Sequence, residues 1–246
     1  MDIGFPLTVD AIRNNIQRVH ENIDKAARRV GRSIDEVKLV VVTKTHPVET
    51  VRMAIEAGAK YLGENYAEEG VEKKTLLSDQ TGIEWHMIGH IQSRKARMIA
   101  EHYDFVHSLD SVKLANRLSN FSIEINRTIP VLLECNVSGE ESKFGFPIWE
   151  ENGWESVIPE IEKIISLPGI LISGLMTMAP YFDDGELARP IFKKLKRFQA
   201  YLIRKFPKTD WHELSMGMSG DYEAAVQEGA TIIRVGQAIL GYRKYC

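Results

Sequence analysis

Eight short runs rich in β-branched and apolar residues, with helix-like stretches between them, constrain this chain more than any other feature. The first covers 37–43 (Val37-Lys38-Leu39-Val40-Val41-Val42-Thr43). The others cover 60–63, 84–88, 105–108, 129–137, 170–176, 211–214 and 231–235. Before the first run, Val9, Ile12, Ile16, Val19, Ile23, Ala26 and Val30 fall three and four apart. That is the stripe of an amphipathic helix, which Gly31 would end. Pro47 opens a second helix carrying Val48, Val51 and Ile55, with a stop near Gly58. Pro190 opens another, with Ile191, Leu195, Phe198 and Leu202 on one face. Strands alternating with helices in this way predict an α/β fold: a single (β/α)8 TIM barrel over residues 1–246, preceded by an N-terminal helix. A doubly wound open sheet is the alternative. No linker, low-complexity segment or internal repeat interrupts the pattern.

The bulk properties exclude several classes. A chain of 246 residues with 44% hydrophobic and 26% charged residues is an ordinary globular composition. A net charge of −3 gives no reason to expect a nucleic-acid partner. Of the two cysteines, Cys135 sits in an apolar run and Cys246 is the last residue, so no disulfide framework is expected and a reducing compartment is. Residues 1–6 lack the basic flank and apolar core of a signal peptide, and no apolar stretch is long enough to span a bilayer. The expectation is a cytoplasmic protein without a membrane partner.

In a (β/α)8 barrel the chemistry sits at the C-terminal ends of the strands. Past the first strand come Thr43-Lys44-Thr45-His46-Pro47, and past the seventh Ser215-Met216-Gly217-Met218-Ser219-Gly220-Asp221. The eighth ends in Ile233-Arg234-Val235-Gly236-Gln237. Closure makes the eighth strand a neighbour of the first, so Lys44 and Arg234 should share one mouth. A partly desolvated lysine beside a fixed cation has a lowered pKa, and the free amine that results can attack an aldehyde. Taken alone, Lys44 reads as half of a rim salt bridge. Its surroundings change that reading. Gly217 and Gly220 would let backbone approach an anion, Ser219 is placed to cap a helix beginning near Tyr222, and Gly236 would add amides. Together they form a phosphate cradle across the mouth from Lys44.

Other signals read more plainly. His86 and His90 are four apart, which aligns side chains only on a helix, and this segment is a strand running into a loop. No metal site is expected there, and His86 is expected to line the barrel mouth. Arg94, Lys95 and Arg97 read as the solvated start of a helix, and Lys193-Lys194-Leu195-Lys196-Arg197 as a solvated helix face. Trp149 and Trp154 flank an acidic surface loop, Glu150-Glu151-Asn152-Gly153, that leads to a helix.

The ordered motifs resemble the YggS/PROSC-type family of pyridoxal 5'-phosphate (PLP) binding proteins, also called PLP homeostasis proteins. The resemblance rests on Val41-Val42-Thr43-Lys44-Thr45-His46-Pro47, Gly63-Glu64-Asn65-Tyr66 and Trp85-His86-Met87-Ile88-Gly89-His90-Ile91-Gln92-Ser93-Arg94-Lys95. It continues through Gly174-Leu175-Met176, Leu214-Ser215-Met216-Gly217-Met218-Ser219 and Arg234-Val235-Gly236-Gln237-Ala238-Ile239-Leu240-Gly241. It implies a fold like the N-terminal barrel of alanine racemase, with PLP as cofactor and Lys44 as its Schiff-base residue. It also implies Arg234 facing the pyridine nitrogen and Ser219, with the backbones of Gly236 and Gln237, holding the phosphate. Met218, Asn65 and Met176 match family positions near the cofactor. Three departures stand out: His46 where the family often has lysine, Arg94 where it more often has asparagine, and Gln237 where a small hydroxyl residue is usual. The last puts a side-chain phosphate contact in doubt but not the backbone one.

Three functions compete. The resemblance favours a non-catalytic PLP-binding regulator of vitamin B6 and amino-acid homeostasis, with PLP-dependent apoenzymes as partners, and a single barrel with no obvious exposed apolar stripe is expected to be a monomer. An arginine at the ring nitrogen keeps it unprotonated and weakens the electron sink. The second base that alanine racemase takes from a C-terminal domain and partner subunit has no room in a chain ending at Cys246. A PLP-dependent racemase or related enzyme is the second reading. A Schiff-base aldolase on a phosphorylated sugar, without PLP, is the third.

Overall fold

The computed structural model describes residues 7–241. Residues 1–6, on which the signal-peptide reading falls, and Cys246 lie outside the described residues. Eight parallel strands close into a barrel: β1 (Lys38–Val42), β2 (Tyr61–Glu64), β3 (Glu84–Met87), β4 (Phe105–Leu109) and β5 (Ile129–Asn136). A two-residue strand, β6 (Phe146–Pro147), pairs with the end of β5 outside the ring and has no counterpart in the sequence reading. The ring continues with β7 (Ile170–Met176), β8 (Glu213–Ser215) and β9 (Ile232–Val235). β1 pairs with both β2 and β9, and β4 pairs with β5, so the sheet has no free edge. That closure excludes the doubly wound alternative.

The helices are α1 (Val9–Arg28), α2 (Val48–Glu56), α3 (Ala67–Leu76), α4 (Ala96–His102), α5 (Val112–Glu124), α6 (Trp154–Ile165), α7 (Arg189–Lys205), α8 (Tyr222–Gln227) and α9 (Gln237–Leu240). They cover the outward faces of the strands, and the main core lies in that layer: Val41, Leu62, Val106, Leu133, Leu175, Leu214 and Val235 are all buried against helices. α7 starts one residue before Pro190 and buries Leu195, Phe198 and Leu202 as expected, with Phe192 rather than the partly buried Ile191 completing the face. Trp154 opens α6 from the acidic loop and donates its indole N–H to the Ile148 carbonyl at 3.1 Å. Arg94 and Lys95 occupy a short 3-10 turn before α4, with Lys95 bonded to Glu68 at 2.6 Å. No described helix is long and apolar enough to cross a membrane.

α1 has a structural task that bears on the site. Thr8 caps it, its hydroxyl accepting the Ala11 N–H at 3.2 Å. The predicted stripe Ile12, Ile16, Val19 and Ile23 is buried, each such side chain contributing about 1.5–3 kcal/mol. Asn15 Nδ2 donates to the Ile239 carbonyl at 2.9 Å and Asn22 Nδ2 to the Tyr222 hydroxyl at 3.0 Å. α8 and α9, of six and four residues, are too short to persist alone, and α1 holds both in place.

Candidate functional site

One cavity of about 260 Å³ opens at the C-terminal end of the barrel. Its size lies near the lower end of the roughly 300–1,000 Å³ typical of small-molecule sites. Seven of the nine residues read from the sequence line it: Lys44, Asn65, Met218, Ser219, Arg234, Gly236 and Gln237. The register Val40↔Arg234 across β1 and β9 explains why residues so far apart in sequence meet there.

Lys44 sits in the turn that leaves β1, half-buried. That turn is pinned from below. Lys73, on α3 and 5% exposed, donates to the Thr43 carbonyl at 2.7 Å, to Glu64 Oε1 at 2.8 Å and to Glu69 Oε1 at 2.6 Å. The Thr43 hydroxyl donates to the same Glu64 oxygen at 2.6 Å. The Thr45 N–H donates to Glu69 Oε1 at 2.6 Å, which holds Thr45 at a φ of 61°. A β-branched residue in that region costs of order 1–2 kcal/mol, so the pinning sets the direction in which Lys44 leaves the backbone. Burial pushes the Glu64 carboxyl above its ordinary range, and Lys73 and Thr43 pull it back. Gly89 brings the β3 exit against Asn65: a Cβ there would lie 2.3 Å from the Asn65 carbonyl oxygen.

Arg234, 4% exposed, is held in the floor of the cavity. Its Nη1 donates to Ser215 Oγ at 2.5 Å and its Nη2 to the Thr177 carbonyl at 2.9 Å. Burial lowers its pKa to about 10, with Asp221 and Glu134 opposing, so it remains a cation at neutral pH.

The opposite wall is built differently from expectation. Ser219 does not cap the helix at Tyr222; Asp221 occupies that position. The Asp221 carboxylate accepts the Met218 N–H at 2.6 Å and shapes the loop. Ser219 Oγ faces α9 instead and accepts the Ala238 N–H over a long 3.4 Å. The first intrahelical bonds of α9 run from Ile239 and Leu240 N–H to the Gly236 carbonyl, which leaves the amides of Gly236 and Gln237 outside the ladder. Gly217 serves packing rather than anion approach: at φ 94°, an added Cβ would fall 2.6 Å from Ala225 Cβ.

Two expected residues lie elsewhere. His86 does not line the mouth; it is fully buried in the barrel lumen, 2.7 Å from His107. Met176 is likewise fully buried, packed with Val40, Phe105, Leu132 and Ile232. The reason is shared. Inward-facing strand residues fill a small barrel as layers, and both sit below the top layer. The sequence reading in turn missed Pro180, Tyr181, Phe182 and Gly185, which line the cavity from the segment after β7. Burial raises the Cys135 thiol, in keeping with a packed side chain.

A lysine, a buried arginine, a hydroxyl and helix-start amides thus converge on one cavity at the C-terminal end of the barrel. The family described as alanine racemase, N-terminal domain, matches residues 10–244. Curated relatives include the pyridoxal phosphate homeostasis protein of Vibrio cholerae, 39% identical over 238 residues, covering 96% of this chain and 98% of the relative. That of Escherichia coli is 38% identical over 240 residues, covering 95% and 97%. PipY of Synechococcus elongatus, solved with PLP bound, superposes with a TM-score of 0.80 at 32% identity, covering 94% of this chain and all of PipY. Alanine racemase of Clostridium difficile shares the fold with a TM-score of 0.68 at 16% identity, this chain spanning 59% of its length. The chain belongs to the alanine racemase N-terminal-domain family and, within it, to the pyridoxal phosphate homeostasis proteins.

Proposed function

We propose that the cavity binds PLP, with Lys44 as the covalent Schiff-base residue, and that holding and supplying the cofactor is the protein's task. The observation that carries this reading is the convergence of Lys44, Arg234 and the Ser219–Gly236–Gln237 wall on one cavity of about 260 Å³. The donor set fits the group. When bound, PLP supplies an aldehyde that captures amines and a ring that withdraws electrons. Lys44 offers the amine. Arg234, charged at neutral pH, offers a donor to the ring nitrogen. Ser219 and the amides of Gly236 and Gln237 offer donors to the phosphate. The names of the curated relatives and the PLP-bound PipY support the cofactor, and the relatives' names support a homeostatic role over amino-acid turnover. On this reading the protein acts as a monomer, and PLP-dependent apoenzymes receive the cofactor.

The test is the visible spectrum before and after borohydride, on the wild type and Lys44→Ala. The expected result is a visible band that borohydride removes and that is absent from Lys44→Ala. A reducible band persisting in Lys44→Ala overturns the assignment. Efficient Lys44-dependent turnover of an amino acid overturns the carrier role.

A further inference from the structure

A chain of buried polar groups crosses the barrel lumen beneath the cavity. Glu84 begins β3 at the opposite end of the barrel, its side chain 39% exposed, with Oε1 at the ion-pair distance of 3.1 Å from His86 Nε2, a nitrogen that makes no well-aligned hydrogen bond. His86 Nδ1 lies 2.7 Å from His107 Nε2. His107 Nδ1 lies 2.8 Å from Ser215 Oγ, bridging β4 to β8 across the lumen. Ser215 Oγ accepts from Arg234. His86, His107 and Ser215 have no exposed surface.

The two ends decide the direction of every bond between them. A guanidinium only donates, and an ionised carboxylate only accepts. The contact with His86 holds the Glu84 carboxyl below its ordinary range, with Lys38 adding to the effect, so Glu84 is ionised at neutral pH. Burial first, with the Arg234 and Lys38 cations adding to it, pushes His107 well below the ordinary imidazole range, so it is neutral. Arg234 donates to Ser215, which frees the Ser215 hydroxyl proton for His107 Nδ1. His107 then carries its proton on Nε2 and donates to His86 Nδ1. His86 Nδ1, as the acceptor, carries no proton, so the ring proton sits on Nε2, 3.1 Å from Glu84 Oε1. The opposite polarity would aim a bare His86 Nε2 lone pair at a carboxylate.

We infer that Glu84, His86, His107 and Ser215 form a one-directional donor chain that fixes the orientation of Arg234, making His107 and Ser215 positioning residues for the ring-nitrogen contact. The last clause rests on the proposed PLP reading; the chain itself does not. Stacking of His86 on Phe105, with centroids 5.3 Å apart and an interplanar angle of 6°, holds its ring plane in place.

The experiment is long-range proton–nitrogen NMR of the 15N-histidine-labelled protein, with and without added PLP, the signals assigned through His86→Gln and His107→Gln. The expected result is both residues as Nε2–H tautomers, with His107 uncharged between about pH 6 and about 8. Either ring in the Nδ1–H form, or a charged His107 in that range, overturns the chain. Glu84→Leu, at a part-exposed position, should release the His86 tautomer preference, whereas Glu84→Gln should keep it because the amide oxygen still accepts. An unchanged preference in Glu84→Leu overturns the role of Glu84. Ser215→Ala should weaken PLP binding about tenfold, the scale of one buried hydrogen bond to a charged group. Unchanged binding in Ser215→Ala overturns the positioning role. Expected tautomers in a wild-type protein that binds no PLP would leave the chain standing and sink the cofactor reading instead.

Discussion

Glu134 gives the sharpest quantitative test of how the barrel interior is built. It lies on β5, is 4% exposed, and its Oε2 has no hydrogen-bond partner. Burial raises its pKa to about 7; Asp110 adds to the rise and Arg234 opposes it. An unfolded glutamate titrates near 4.5. A folded-state pKa above the unfolded one means that the folded protein binds the proton more tightly, so stability falls as pH rises between the two values. Below about pH 4.5 the group costs nothing; above about pH 7 the full penalty applies. At about 1.36 kcal/mol per unit, that penalty is ~3 kcal/mol, of which about 2–3 kcal/mol develops between pH 5 and pH 8. Glu134→Gln keeps the shape and removes the charge. Its own packing or hydrogen-bond offset does not vary with pH, so the pH-dependent part of the comparison isolates the carboxyl. Urea denaturation of both proteins at pH 5, 6, 7 and 8 should show Glu134→Gln gaining stability on the wild type by about 2–3 kcal/mol across that range. A stability difference that stays constant with pH would refute the reasoning, because it would mean that the carboxyl is not penalised by burial.

Lys73→Met should cost about 3–5 kcal/mol in urea denaturation, because it leaves Glu64 buried without its cation. Adding Glu64→Gln to Lys73→Met should recover part of the loss, and a purely additive double mutant would show that the pair is not coupled. Ser219→Ala should leave the melting temperature nearly unchanged, since its contact with Ala238 is long at 3.4 Å, while weakening PLP binding by roughly two- to tenfold in a fluorescence titration.

The strands were legible because a parallel barrel buries both faces, which turns each strand into an apolar run that turn residues bound. The segment at 170–176 matches β7 residue for residue, and the others shift by one or two positions at their ends. β6 was not legible, because two residues carry no periodicity. Lys44, Arg234 and the loop at 217–220 were found from the rule that barrel chemistry gathers past strand ends, applied to three of the eight strands. Applied to the strand at 170–176 as well, it would have reached Tyr181 and Phe182. Ser219 was misassigned because a hydroxyl near a helix start reads as a cap, while the N-cap position depends on which residue the turn places first, and that is Asp221, whose carboxylate bonds back to Met218 rather than into the helix. The lumen histidines had a visible trace. Glu84 and His86, His107, Glu134 and Asn136, and Glu213 and Ser215 put polar groups at alternate positions inside otherwise apolar runs. Period two separates the faces of a strand but does not say which faces the lumen when both are buried.

That trace points to a division of labour in the fold. Val40, Phe105, Leu132, Met176 and Ile232, with Tyr61 against them, make an apolar girdle inside the barrel. The large core lies outside the strands, under the helices. Stability therefore comes mainly from the outer layer, and the lumen is left to place charge. Lys73, reaching in from α3, pins the turn of Lys44 from one side. Ser215 and the Thr177 carbonyl hold Arg234 from the other. Neither arrangement is an inexpensive way to stabilise a protein, since buried ion pairs seldom exceed the apolar packing that could replace them. Their common effect is geometric: Lys44, in the turn leaving β1, and Arg234, on the neighbouring β9, are each aimed at one cavity by partners that do not themselves line it. Replacing Lys73 should therefore disturb Lys44 without moving Arg234, and replacing Ser215 should do the reverse. That separation is what a site assembled from two independently supported residues requires.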